Sequence, residues 1–561
     1  MTAADRARAW LAQDPDPETR AEIEALLAAG GDALEARFAG RLSFGTAGIR
    51  GVLGAGPMRM NRVLIRQVTA GLADYLAATV PGARERGVVV GRDARRKSDV
   101  FAEDTARVLR GKGFRVWLAP GPVPTPLVAF AVRHLGAAAG VVVTASHNPP
   151  AYNGYKVYWE NAAQIVPPHD EGISAAIDAV ATTADLALPP LDAEPLGAEV
   201  EEAYLAGVRA LAIAPDAAAR APLAIAYTPL HGVGARFVEA ALARAGFTDV
   251  RVEPSQREPD GTFPTVEFPN PEEPGAMDRV LALARDTGAD LVLANDPDAD
   301  RLAVAVPDGD GYRMLTGDQV GVLLADYLLA GTDGDDRLVA TTIVSSQLLG
   351  DMARAAGVAF CETLTGFKWI ANAALQHGGR FVFGYEEALG YCVGELVRDK
   401  DGISAAALVA ELAAVAKAEG QSLDDRLDAI YRRYGLYLTE QVSIVRAGDR
   451  GIDEIRAAMD AFRAAPPERI GDWAVERCVD VARGDGGLPP SDVLIYYIEG
   501  GRRVIMRPSG TEPKLKSYYE VREAVAEGEP MAAARRRAQA ALAALRDAHQ
   551  ARLRAAFATP G

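Results

Sequence analysis

The chain has 561 residues, of which 49% are hydrophobic and 24% charged, and it carries a formal net charge of -16. At ~100–200 residues per domain such a length makes about three to five domains, and the negative balance argues against nucleic acid and anionic membrane as main partners, though a local Arg and Lys cluster can still hold a small anion. Cys361, Cys392 and Cys478 form neither a CxxC pair nor a disulfide framework, the first residues carry no apolar leader, and no uninterrupted apolar span crosses a membrane, so the chain reads as cytoplasmic.

In chain order, the first motif is Ser43-Phe44-Gly45-Thr46-Ala47-Gly48-Ile49-Arg50-Gly51. Its glycines recur every third position without the GxGxxG spacing of a dinucleotide loop, and Arg50 stands where it could reach into a cleft. An apolar run at 88–90 leads into Gly91-Arg92-Asp93, with Arg95 adding positive charge. A second run at 141–143 leads into Thr144-Ala145-Ser146-His147-Asn148-Pro149-Pro150. The proline pair stops a helix and stiffens the turn, which leaves Ser146 at a strand end with His147 beside it. That pattern suits a nucleophile or phosphoryl acceptor; a plain surface turn is the alternative. Lys156 follows, and a Pro- and acid-rich stretch at 186–203 reads as a linker before a helical run from Tyr204.

Further runs at 224–226, 291–293, 338–340 and 381–383 each end in a polar or Gly-rich loop and pass into a helical pattern. Alternation of this kind indicates α/β domains with largely parallel sheets, whose ligands sit at the carboxyl ends of the strands. The sharpest such loop is Asp296-Pro297-Asp298-Ala299-Asp300-Arg301. Three carboxylates at alternate positions repel one another without a cation, and a set of oxygen donors lacking His and Cys favours a hard ion such as Mg²⁺. An EF-hand is excluded because Arg301 and Pro307 stand where it needs Gly and Glu; a solvated acidic turn is the remaining alternative. Breaks are expected at 309–312 and 434–439 around a helix over 318–329. Gly384-Tyr385-Glu386-Glu387-Ala388-Leu389-Gly390 offers acids for sugar hydroxyls or, equally, a helix N-terminus, and Lys368, Arg398 and Lys400 add charge. Beyond 439 the texture becomes a smaller α+β domain. Its loop Arg507-Pro508-Ser509-Gly510-Thr511-Glu512-Pro513-Lys514 is rich in donors for a phosphate dianion, or is a polar hairpin turn. Residues 531–557 read as a helix.

A serine, a three-Asp loop, a phosphate loop and acids suited to hydroxyls together meet the needs of phosphoryl transfer. In this order they resemble the α-D-phosphohexomutases, which include phosphoglucomutases and phosphomannomutases. The opening at 45–51 with Met58-Arg59-Met60-Asn61 looks like the branch of phosphoglucomutase-2-like and phosphopentomutase-like enzymes. The resemblance implies three related α/β domains with mixed sheets, over 1–203, 204–312 and 313–436, and a C-terminal α+β TATA-binding-protein-like domain over 437–561, around a central cleft. It implies that Ser146 is the phosphoserine of the resting enzyme. One Mg²⁺ would be held by Asp296, Asp298, Asp300 and an oxygen on Ser146. Arg50, Lys156, His147 and Arg301 would serve the chemistry. Glu386, Ala388, Lys368 and Lys400 would meet the sugar, and Arg507, Ser509, Gly510 and Thr511 the phosphate that stays. The implied activity is an intramolecular phosphotransfer between hexose 1- and 6-phosphates of glucose or mannose, through a sugar bisphosphate that also acts as activator. The implied partner is a small phosphorylated sugar, with neither nucleic acid nor membrane, on a monomer or dimer. A phosphopentomutase, a sugar-bisphosphate synthase, a sugar phosphatase and an inactive sugar-phosphate-binding protein are the alternatives. Two departures bear on the sugar: Ala388 stands where many relatives have Ser, and Tyr391 lies near where some have His.

Overall fold

The computed structural model describes residues 1–446, 450–509 and 513–558, which fall into two compact units. The first takes Met1–Thr316 and Leu389–Glu419; the second takes Gly317–Ala388 and the chain from Gly420 onward.

The first unit opens with three helices, Ala3–Gln13, Pro17–Ala29 and Gly31–Phe38. Thr2 and Asp5 form a capping box on the first, and Asp16 caps the second ahead of Pro17 at its first turn. They bury Ala7, Trp10, Ile23, Leu34 and Phe38 against Ala55 and Val63. The next sheet is built around Ala139–Val143, whose five residues are all buried. It runs parallel to Val88–Arg92 and antiparallel to Tyr152–Tyr158, which in turn pairs with Ile49–Val52. Two antiparallel pairs on one side adjoin three parallel pairs on the other, so the sheet is mixed. The expected linker at 186–203 contains a short strand, Glu194–Pro195, on the sheet edge beside Val116–Leu118. The helix after it begins at Ala198, ahead of Tyr204, with Glu199 and Glu201 complementing the dipole of its first turn.

A second mixed sheet follows, in the order Gly311–Met314, Ala303–Asp308, Leu291–Ala294, Ala224–Thr228 and Asp249–Val252. Residues 309–312 form the turn of a hairpin in which Asp308 pairs with Gly311, a few residues ahead of the division between the units at Thr316. Gly309 takes the left-handed conformation there, with φ 56°, which is why a glycine-bearing turn resembles a linker in the sequence.

In the second unit, Arg337–Thr342 lies between Ala359–Thr363 and Arg380–Glu386, parallel to both. The C-terminal part is an antiparallel half-barrel of six strands, from Leu436–Val445 at one edge to Arg469–Ile470 at the other. The two parts share a core of Ile343, Val344 and Leu364 with Val479, Val481, Ile495 and Ile505. The Thr439 hydroxyl donates to Asp318 at 2.7 Å and the Tyr437 hydroxyl to Asp351 at 2.6 Å, so the expected break at 434–439 is a packed junction. Among the described residues no helix is long and apolar enough to cross a membrane.

The last helix, Met531–Ala558, lies on the strands Leu436–Val445 and Lys514–Glu523. It buries His549 against Tyr519, whose hydroxyl is 2.8 Å from Nδ1. Burial, with Arg552 adding, pushes His549 from an ordinary 6.5 down to about 3. The unfolded chain therefore binds this proton first. The stability of the neutral ring is complete above about pH 6.5 and drains away as pH falls towards 3, by on the order of 5 kcal/mol over that window. Urea midpoints measured from pH 7.5 to 4 should fall more steeply for the native chain than for His549→Gln; equal slopes would refute this.

Candidate active site

The metal-type loop starts where Leu291–Ala294 ends. Asp296, Asp298 and Asp300 are all completely buried, and an oxygen from each lies within 4.8 Å of the others. Their loop is over-determined from several directions. Ala299 is left-handed with φ 57°, the Arg301 amide donates to Asp296 Oδ1 at 3.0 Å, and Asn295 Nδ2 donates to the Arg301 carbonyl at 2.5 Å. Gly232 permits the close approach of Pro297, whose Cα lies 2.4 Å from where a Cβ on Gly232 would stand. Thr125, from the start of a helix in the first sheet's layer, donates its hydroxyl to Asp298 Oδ2 at 2.7 Å and its amide to the Asp298 carbonyl at 3.0 Å.

Lys156 balances part of this charge, donating to Asp298 at 2.7 Å and Asp300 at 2.8 Å. Burial works against its charge, yet those two carboxylates hold its pKa above the usual lysine value. The same lysine overcomes burial at Asp298 and keeps that carboxyl ionised, whereas burial and then the charges of Asp298 and Asp300 push Asp296 well up. The outer oxygens Oδ1 of Asp298 and Asp300 remain buried without a hydrogen-bond partner. Unsatisfied buried carboxylate oxygens in an all-oxygen set are what a hard divalent cation would coordinate, so the residues present fit such an ion.

Ser146 sits at the tip of Ala139–Val143. It is 2% exposed and left-handed, with φ 52°. Its amide donates to Thr144 Oγ1 at 2.9 Å, its hydroxyl donates to Asp296 Oδ2 at 3.0 Å, and His147 Nδ1 is 3.2 Å from Oγ. The serine therefore touches the carboxylate cluster across 150 residues of chain. Burial, then Arg301 and Arg50, hold His147 well below its ordinary value, so the ring is neutral. Arg50, opposite Gly154 in the neighbouring strand, reaches Asn148 Oδ1 at 3.4 Å and keeps a buried Nε with no partner. Arg301 lies 3.6 Å from Glu272. Lys400, expected on the sugar, stands 3.3 Å from Asp300 and 3.5 Å from Asp399.

In the second unit Glu386 ends the strand Arg380–Glu386 and accepts the Gly366 amide at 2.7 Å. Gly366, with φ 114°, precedes the helix that carries Lys368. Glu387 points to Ser345 at 3.1 Å, and burial, then Glu386 and Asp318, push it up to about 7. Ala388 is half-buried beside these acids. Arg507 is the penultimate residue of the strand Arg502–Pro508, and the Ser509 amide donates to the Lys514 carbonyl at 2.7 Å. Gly510 and Thr511 lie outside the described residues. Burial pushes the Tyr518 hydroxyl up, with Glu387 adding and Arg507 opposing. Thr125 carries no signal in the sequence that would place it on Asp298, whereas Arg95 and Glu387 stand in charged strand-end turns that the sequence shows.

The phosphoglucomutase/phosphomannomutase alpha/beta/alpha domains I, II and III match residues 41–184, 202–309 and 316–434, and the C-terminal domain of that family matches 443–538. A probable phosphoribomutase from Schizosaccharomyces pombe is 40% identical, over 91% of this chain and 92% of its own. A probable phosphomannomutase from Haemophilus influenzae is 43% identical, over 83% and 93%. A phosphopentomutase from Mus musculus is 35% identical, over 91% and 89%.

Proposed function

This chain belongs to the phosphoglucomutase/phosphomannomutase family, and we propose that it is a phosphosugar mutase acting on a pentose phosphate through a phosphoserine at Ser146. That it is an intramolecular phosphotransferase of this family follows from the four matched domains. The contact between Ser146 Oγ and the buried Asp296 carries the assignment of the phosphoryl carrier. The preference for a pentose replaces the expected hexose. Its support is that the relatives named for ribose and pentose phosphates match 91% of the chain at 40% and 35% identity, ahead of a glucose 1,6-bisphosphate synthase at 34% over the same share, while the one named for mannose is 43% identical over 83%.

The residues divide the work as follows. Phosphoserine passes its phosphoryl group to the free hydroxyl of the sugar monophosphate. The bond from phosphorus to Ser146 Oγ breaks as that to the sugar oxygen forms; the sugar hydroxyl gives up its proton, Oγ takes one up, and His147 Nδ1, 3.2 Å from Oγ, is placed to relay it. Asp296, Asp298 and Asp300 would hold one Mg²⁺, which when bound supplies positive charge to the phosphoryl oxygens. Lys156 and Arg50 contribute fixed positive charge beside the same group, and Arg301 is carried by the same loop. Glu386 and Lys368 serve the sugar hydroxyls, and Arg507, Ser509, Gly510 and Thr511 the phosphate that is not transferred. The second half-reaction returns the other phosphate of the sugar bisphosphate to Ser146, and the same bisphosphate recharges an enzyme that has lost its phosphate.

The test is a coupled assay of ribose 1-phosphate, glucose 1-phosphate and mannose 1-phosphate. Ribose 1-phosphate should lead in kcat/KM by roughly tenfold or more, the scale of discrimination that one altered pocket contact gives. A lead for either hexose phosphate would restore the hexose reading.

A further inference from the structure

The strand Val88–Arg92 ends in a turn built on Asp93, whose carboxylate accepts the Arg95 amide at 2.9 Å and the Ser98 hydroxyl at 2.8 Å. The turn sends the Arg95 side chain back under the strand end, where its guanidinium has no exposed surface and lies 3.2 Å from Asp93. From there it addresses a single object. Nη2 donates to the carbonyls of Ser146 at 2.6 Å and Asn148 at 2.5 Å, and Nη1 to those of Pro149 at 2.9 Å and Tyr152 at 3.2 Å. The ring of Phe263 lies 4.9 Å from the guanidinium carbon and closes the other side. Four carbonyls of one short turn thus converge on one planar cation, in the fork geometry that only arginine offers.

Ser146 occupies the left-handed region, a conformation that a non-glycine residue keeps only where its surroundings over-determine it. We propose that Arg95 is a positioning residue of the mutase reaction: by gathering the carbonyls of residues 146–152 it holds Ser146 in the backbone conformation that aims Oγ at Asp296. The proposal rests on Ser146 being the phosphoryl carrier. Arg95 touches no substrate, because its side chain is sealed beneath the turn, so it acts on the rate of transfer and not on sugar binding.

The experiment compares full-length Arg95→Met, Arg95→Lys and Ser146→Ala. It measures kcat and KM for the best sugar 1-phosphate, phosphoryl incorporation from its bisphosphate by intact mass, and urea midpoints. Arg95→Met should lose about a hundredfold in kcat, the effect of misplacing a reacting atom by about 1 Å, with KM within about twofold and incorporation slowed in parallel. Arg95→Lys keeps the charge but cannot span four carbonyls, so it should recover about tenfold over Met. An unchanged kcat in Arg95→Met, or a KM that rises in step with the fall in kcat, would overturn the proposal. If Arg95→Met does not fold, Arg95→Lys decides, and a native kcat in that variant overturns it. An active Ser146→Ala would sink the phosphoserine reading itself, whereas an inactive Ser146→Ala beside a normal Arg95→Met would sink only this inference.

Discussion

Ser146→Ala is expected to lower kcat by about four orders of magnitude or more, the cost of removing a covalent nucleophile whose helpers cannot act without it. The folded chain should survive. The side chain lost is small, and the turn around it is held by the Thr144 hydroxyl, by the Arg95 guanidinium and by the Asn148 amide donating to the Ala145 carbonyl. Asp296 loses one donor, which costs about 1–3 kcal/mol for a buried acceptor, a shift that thermal unfolding would register without loss of cooperativity. Intact mass after incubation with sugar bisphosphate should show the phosphoryl adduct on the native chain and none on the variant. Near-native turnover would end the phosphoserine mechanism.

Asp298→Asn is expected to raise the Mg²⁺ concentration needed for half activity by at least about tenfold, and to lower kcat at saturation by about a hundredfold. The substitution preserves shape and removes one charge from a site where every oxygen has a role. Oδ2 of Asp298 accepts from Lys156 and Thr125, and Oδ1 is the buried oxygen left for a cation. Lys156 retains Asp300, so the lysine is not stranded. An activity titration with Mg²⁺ that superimposes on that of the native chain would sink the metal assignment.

The strands at 88–90, 141–143, 224–226, 291–293, 338–340 and 381–383 were legible because runs of β-branched and apolar residues, ended by glycine or polar turn residues, act within a few residues of themselves. Each lies within an observed strand: Val88–Arg92, Ala139–Val143, Ala224–Thr228, Leu291–Ala294, Arg337–Thr342 and Arg380–Glu386. The three-Asp loop was legible for a related reason, since like charges so close in sequence cannot avoid each other in any fold. The turn at 309–312 and the edge strand at 194–195 were not. A two-residue glycine turn and a Pro-rich linker share one composition, and only a hydrogen-bonded partner elsewhere distinguishes them.

By itself, then, the sequence determined the alternation of strands and loops, the carboxylate spacing and the stiff serine turn, all set by chemistry local to each segment. Tertiary structure alone decided which distant groups complete the site. Thr125 and Lys156 stand on Asp298, Lys400 stands beside Asp300, and Arg95 turns inward beneath Ser146. The physical reason is that a buried charge must find partners wherever packing places them. The sequence names the candidates, and the choice among them belongs to the sheets that bring their strand ends together.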